Sequence, residues 1–387
     1  MDVRLADGRI AEVTPAGAPA AGAEELDLDG YVLLPSAAEP HAHLDKAFTA
    51  DDVADEGVED LAAAITAWHA YRRTLSVDDI AVRARRAALV GLARGATAVR
   101  THVDVGEGIG LRAAEALVRV RHELRRLVDV QVVALSYPLS PGAGDENREL
   151  VRQALELGAD VVGGAPHIDP DPLAHMEFCL AIAREFERPV DLHMDEHLRS
   201  SVELANLARL ARGFPHGVTA SHCVSLGMQP AQTQEDVSDA VAAAGVAIVT
   251  LPLTNLYLQA RDRTTATPRG ITAVRALLRA GATVAGGGDN VQDPFNPLGN
   301  ADPLQTAQLL VAAAHIDWRD AYGLVSDGPR AVLGLPPVRV EAGFPADLLA
   351  VAGSSLREAI ATAGEDRLVF RAGRLIARTR VERDVLT

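Results

Sequence analysis

Glu39-Pro40-His41-Ala42-His43-Leu44-Asp45-Lys46 follows shortly after an apolar run, Tyr31-Val32-Leu33-Leu34-Pro35. A strand sends alternate side chains to opposite faces, so positions i and i+2 point the same way. If the run is a strand, His41 and His43 leave its end side by side. Two neutral imidazoles on one face can grip one metal ion, a common arrangement for zinc and iron. A lone His-x-His motif is equally well two loop histidines. The remainder of the chain decides between these readings.

Working outward, the middle of the chain alternates short apolar segments with amphipathic helical patterns, which is the signature of βαβ units and a parallel sheet. Eight strand candidates are present: Val32–Pro35, Ala98–Val103, Val128–Leu135, Asp160–Ala165, Val190–His193, Val218–His222, Ala247–Leu251 and Thr283–Asp289. A count of eight over this length suggests a (β/α)8 barrel, which usually takes about 250 residues and places its chemistry at the C-terminal ends of its strands. The polar candidates fall at those ends. His41 and His43 follow the first strand, His102 lies at the second, and His167 follows the fourth. His193 and Glu196 lie at the fifth, His222 at the sixth and Asp289 at the eighth.

Both chain ends read differently. Val3–Leu5 and Ile10–Val13 flank the turn Asp7-Gly8-Arg9, Pro15–Ala23 is a Pro/Ala/Gly loop, and Leu26–Leu28 is a further short strand candidate. Near the other end, Ala346–Val351, Arg367–Arg371 and Arg374–Ala377 are short strands, with Ala372-Gly373 as a hairpin turn. The two ends therefore look like halves of one small β domain.

Composition narrows the function. The chain has 387 residues, 48% hydrophobic and 23% charged, as expected of a soluble globular protein with a large core. A net charge of −16 argues against nucleic acid, which needs a basic face, and against anionic membrane surfaces. No apolar run is long enough to span a bilayer, and Met1-Asp2-Val3-Arg4 shows no signal pattern. Two cysteines, Cys179 and Cys223, are too few for a disulfide framework and fit a reducing cytoplasm.

His41, His43, His193 and Asp289 together make a mononuclear metal site of three imidazoles and one carboxylate. A further position left open for water is what separates a catalytic site from a structural one. A divalent ion lowers the pKa of bound water from about 15.7 to about 7. Attack by the resulting hydroxide on an sp2 carbon needs a proton donor for the ring nitrogen and the leaving amine. Glu196 is placed for that shuttle, and His222 can hold or polarise the nucleophile. The approach Gly286-Gly287-Gly288 lets backbone or substrate come close to Asp289.

With these residues in this order, the sequence resembles the amidohydrolase superfamily, and its cytosine deaminase-like branch in particular. The stretches Glu39–Asp45, Val99–Val105, Leu157–Gly163, Val218–His222, Arg269–Thr272 and Asp293–Gly299 all carry the resemblance, which runs over nearly the whole barrel and into both ends. It implies an α/β fold: a distorted (β/α)8 TIM barrel over residues 36–335, with a small β-sandwich domain from residues 1–35 and 336–387. It implies one divalent ion per subunit, Zn2+ or Fe2+, on His41, His43, His193 and Asp289. Glu196, His222 and Asp289 would be catalytic. The reaction would be hydrolytic deamination of an aminated heterocycle, with metal-bound hydroxide attacking the amidine carbon and ammonia released. The alternative is cleavage of another C–N bond, in an N-alkyl amine or a cyclic amide. The full ligand set with Glu196 disfavours a non-catalytic binder.

Two-metal members carry a carboxylated lysine near the fourth strand; no lysine lies in Val161–His167, which disfavours that class. The substrate-reading positions depart from the cytosine enzymes. Where those carry a glutamine near the end of the third strand, this chain reads Ala134-Leu135-Ser136-Tyr137-Pro138. Asn290 follows the metal aspartate in place of a second aspartate, and Phe295 stands in place of a tryptophan. Changed readers imply a changed ring, such as a modified pyrimidine, an s-triazine, a pterin or a creatinine-like ring, rather than cytosine. Tyr137, Asn290, Phe295 and His102 are the expected substrate contacts. Asp45 and Lys46 are candidates for the pocket wall. The resemblance further implies a strand ahead of Val3, a small-molecule heterocyclic partner and a homo-oligomer.

Overall fold

A computed structural model describes residues 1–17, 24–53 and 60–385. Residues 18–23 of the expected Pro/Ala/Gly loop lie outside them. The strands in chain order are β1 (Asp2–Ala6), β2 (Arg9–Thr14), β3 (Tyr31–Pro35), β4 (Ala37–Ala42), β5 (Ala96–Asp104), β6 (Asp129–Leu135) and β7 (Val161–Gly164). They continue with β8 (Val190–Met194), β9 (Val218–His222), β10 (Val246–Thr250), β11 (Val284–Gly286), β12 (Leu348–Ala352), β13 (Arg367–Arg371) and β14 (Arg374–Thr379).

Strands β4 to β11 form one eight-stranded parallel sheet in simple sequence order. A parallel bridge between Ala42 and Asp289 brings the last strand back to the first, so the sheet is nearly closed as a barrel. Its strands are buried on both faces, which is why β6 (DVQVVAL) ends in an unbroken apolar run; β8 (VDLHM) alternates apolar and polar side chains, yet all five are buried. Helices cover the outside. The one over Val77–Ala93 starts where the Ser76 hydroxyl accepts from the Asp79 N–H, and Asp78 and Asp79 in its first turn favour the helix dipole.

The apolar run Val32–Pro35 is not the first barrel strand. It is β3, which pairs antiparallel with β12, Val32 facing Val351, in a four-stranded sheet ordered β14-β13-β12-β3. The first barrel strand is β4, and its sequence AAEPHA hides it: three alanines, an internal proline and a half-buried acid carry little strand signal. Leu26–Leu28 forms no regular strand. The β1–β2 hairpin lies against the sheet from the chain ends, and Ile10, Val338, Ala346, Leu348, Ala350, Leu368 and Phe370 share a core there. Among the described residues, no helix is long and apolar enough to cross a membrane.

Barrel closure is tied at the site itself. Glu39 on β4 accepts from the His41 N–H at 3.0 Å and from the Gly288 N–H at 2.8 Å, so one carboxylate joins the first strand to the loop after the last. Burial pushes its pKa up to about 8.

Candidate metal centre

Six side chains named from the sequence converge at the C-terminal end of the barrel. His41 and His43 end β4, His193 lies on β8, His222 ends β9, and Glu196 and Asp289 follow β8 and β11. His43 Nε2 lies 3.1 Å from His193 Nε2 and 3.4 Å from Asp289 Oδ1; His41 Nε2 lies 3.6 Å from the same oxygen. His222 and Asp289 both hold left-handed backbone, with φ of 69° and 65°. Such conformations cost of order 1–3 kcal/mol in non-glycine residues and concentrate at functional sites.

The electrostatics suit a cation. Burial, reinforced by the neighbouring histidines, holds the pKa values of His41, His193 and His222 well below the ordinary imidazole range. For His43, burial is followed by Lys46. All four rings are therefore neutral and offer lone pairs. Burial, with Glu196 and Asp293 nearby, raises the pKa of Asp289 well above the carboxylate range. Among the described residues, both Asp289 oxygens and His41 Nε2 are buried with no hydrogen-bond partner. Buried polar atoms are normally paired, so a set of orphans aimed at one point asks for a ligand. Two nitrogens each about 2.0–2.1 Å from one zinc ion stand about 3 to 3.5 Å apart, close to the separations seen here. His41, His43, His193 and Asp289 fit a single divalent ion.

A cavity, partly open to solvent, adjoins these atoms. Glu196 lines it, and burial raises the Glu196 pKa to about 8. Its Oε1 lies 3.4 Å from His222 Nδ1, which is also 3.0 Å from the Asn255 amide nitrogen. Tyr137, Asn290 and Phe295 line the cavity as well. The Tyr137 hydroxyl lies 3.2 Å from His69 Nε2, and the Asn290 amide donates to Asp293 at 2.8 Å.

His102 does not reach the cavity wall. It sits inside β5, fully buried, with its ring stacked 3.9 Å from that of His41. It counted as a strand-end residue because the expected second strand stopped at Val103; β5 runs through Asp104. The residue that does face the cavity from this strand is Asp104. Its carboxylate accepts from Lys46 Nζ, Trp68 Nε1 and Arg72, each at 2.7 Å. Burial alone would raise its pKa, but Lys46 and then Arg72 hold it well below the carboxylate range. Lys46 lines the cavity, whereas the Asp45 carboxylate turns away to accept from the Asp104 N–H. A buried acid at a strand end was the available signal for Asp104. Leu61 and Ile65 complete one wall from the helix α1 (Leu61–Tyr71), whose position over the barrel mouth no local pattern announces.

Residues 75–376 match the amidohydrolase family. Over 385 residues the chain is 30% identical to the pterin deaminase of Rhizobium rhizogenes, covering 98% of this chain and 88% of that one. It is 26% identical over 386 residues to the N-isopropylammelide isopropyl amidohydrolase of Pseudomonas sp. strain ADP, covering 92% and 89%. The structure of 5-methylcytosine deaminase from Klebsiella pneumoniae, liganded with 5-fluorocytosine, superposes with a TM-score of 0.88 at 30% identity, over 99% of this chain and 95% of that one. The protein is thus a member of the amidohydrolase family, in its cytosine deaminase-like branch, and a hydrolase of carbon–nitrogen bonds outside peptides.

Proposed function

We propose that this enzyme deaminates an aminated nitrogen heterocycle hydrolytically, with one Zn2+ or Fe2+ per subunit held by His41, His43, His193 and Asp289. The observation that carries the reading is the convergence on His41 of His43 with Asp289 and of His193 with His222, His43 and His193 also meeting at 3.1 Å, beside a cavity that presents Glu196. When bound, such an ion supplies Lewis acidity and an acidified water at neutral pH.

The chain's own residues do the rest. Glu196, with its pKa near 8, holds a proton at pH 7 and can deliver it to a ring nitrogen; recharged with a proton from the attacking water, it can then protonate the departing amine. Asp289 and His222 flank the reacting centre, where they take up and steer the proton that water gives up. Tyr137 and Phe295 bound the ring. Asn290, held by Asp293, shapes the wall beside Asp289, and Lys46 adds a cation to the same wall. The charge of −16 disfavours nucleic acid as a partner, and two free buried cysteines suit the cytoplasm. We take residues 1–35 with 336–387 as one β unit and 36–335 as the barrel.

A second reading is cleavage of an exocyclic N-alkyl group, supported by the 26% identity to the isopropyl amidohydrolase. Product mass spectrometry separates the two. Free ammonia from pterins, aminopyrimidines or amino-triazines supports deamination, whereas a released alkylamine supports the second reading and refutes the first.

A further inference from the structure

A line of buried polar groups runs through the barrel and ends on His41. Arg100 on β5 donates to Asp191 Oδ2 at 2.8 Å. Ser221 Oγ donates to Asp191 Oδ1 at 2.9 Å and lies 2.9 Å from His41 Nδ1. Arg100 is itself fixed by the Gln131 Oε1 acceptor and by the Val332 carbonyl, at 2.9 Å each. Each of the four residues from Arg100 to His41 is at most 2% exposed.

Direction along this line follows from donor and acceptor inventory. Arginine has only donors and keeps its proton inside proteins. Burial works against a charged Asp191, but Arg100 donates to its Oδ2 from 2.8 Å and would be left uncompensated by a neutral partner, so both carboxylate oxygens accept. The Ser221 hydroxyl must then give its hydrogen to Asp191. Its oxygen is left to accept from His41, so the His41 proton sits on Nδ1. Nε2 is left as a bare lone pair, on the side where Asp289 Oδ1 lies at 3.6 Å.

We propose that Asp191 and Ser221 are positioning residues that lock His41 in the one tautomer able to bind a metal ion. The inference rests on the metal centre of the preceding reading. It is specific to His41: His43 Nδ1 faces Lys46 Nζ at 3.3 Å, and among the described residues His193 Nδ1 has no partner.

The test uses the full chain, zinc alone as the probe and a chromogenic chelator as competitor. Ser221→Ala cuts the line without reversing it and should weaken zinc binding about 10–100-fold, the usual worth of such outer partners. Asp191→Asn should weaken it further, although asparagine is the closer match in shape. Its amide turns oxygen to Arg100 and N–H to Ser221; the hydroxyl then points at His41 and moves the proton to Nε2. A purely structural role predicts the reverse order. Zinc affinity of Asp191→Asn equal to wild type, or tighter than that of Ser221→Ala, would overturn the proposal. Nitrogen-15 spectra of the metal-free wild type decide it even if both variants fail to fold: His41 protonated on Nδ1 supports the lock, and protonated on Nε2 refutes it. A wild type that binds no zinc defeats the metal centre and the lock together, whereas tight binding with the order reversed defeats the lock alone.

Discussion

His43 and His193 point their Nε2 atoms at each other from 3.1 Å, with 150 positions of chain between them. Burial keeps both rings neutral, so neither gains a charge-assisted bond from this approach. Lys46 Nζ faces His43 Nδ1 at 3.3 Å, so without metal the His43 hydrogen lies on Nε2, between the two rings; a cation that both Nε2 atoms reach takes its place. Replacing either ring by alanine should therefore lower zinc affinity by more than the roughly 10–100-fold that an outer partner is worth. Chelator competition measures this, and an unchanged affinity in both variants would remove them from the ligand set.

Glu196 has its pKa raised to about 8 by burial alone. Glu196→Gln keeps the shape and deletes the transferable proton. We expect kcat to fall by about 10²–10⁴, the usual range for a general acid–base, with metal content unchanged. Elemental analysis alongside steady-state kinetics checks both halves, and full activity in the variant would exclude the shuttle role.

Asp104 is the common acceptor for Lys46, Trp68 and Arg72. Asp104→Ala strands two buried cations, and breaking such a network costs about 3–5 kcal/mol. Urea unfolding at neutral pH should register that loss. A change below 1 kcal/mol, of the order of a surface ion pair, would show that the cluster relaxes at little cost.

His69 meets the Tyr137 hydroxyl, and burial, followed by Arg72, lowers its pKa to about 4. An unfolded histidine titrates near 6.5. Between about pH 6.5 and 4 the unfolded chain binds the extra proton, so stability falls as pH falls through that window. His69→Gln removes the effect. The stability of wild type relative to this variant should decline from pH 7 to pH 4 in paired thermal melts. A gap that widens in favour of wild type toward acid would reverse the assignment.

Much of this site could be read from the sequence because barrel chemistry sits at strand ends: His193, Glu196, His222 and Asp289 lie at or just past the ends of apolar runs, and His41 and His43 stand out by their i, i+2 spacing. The errors also have physical causes. Tyr31–Pro35 looked like the first barrel strand because it is a true strand, recruited by β12 into another sheet. β4 stayed hidden because proline and small residues suppress its pattern. His102 was credited with a substrate contact, yet one more residue of β5 turns that place over to Asp104. Connections such as Arg100 to Asp191 span 91 positions and depend on barrel closure, which local pattern does not encode.

The most direct test of the central claim is ammonia release by the purified full chain across pterins, aminopyrimidines and amino-triazines. Each substrate is assayed as isolated, after a chelator, and after one equivalent of Zn2+ or Fe2+ is restored. The account predicts turnover of at least one ring, its loss on chelation, and its return at one ion per subunit. Turnover that survives complete removal of metal would contradict it.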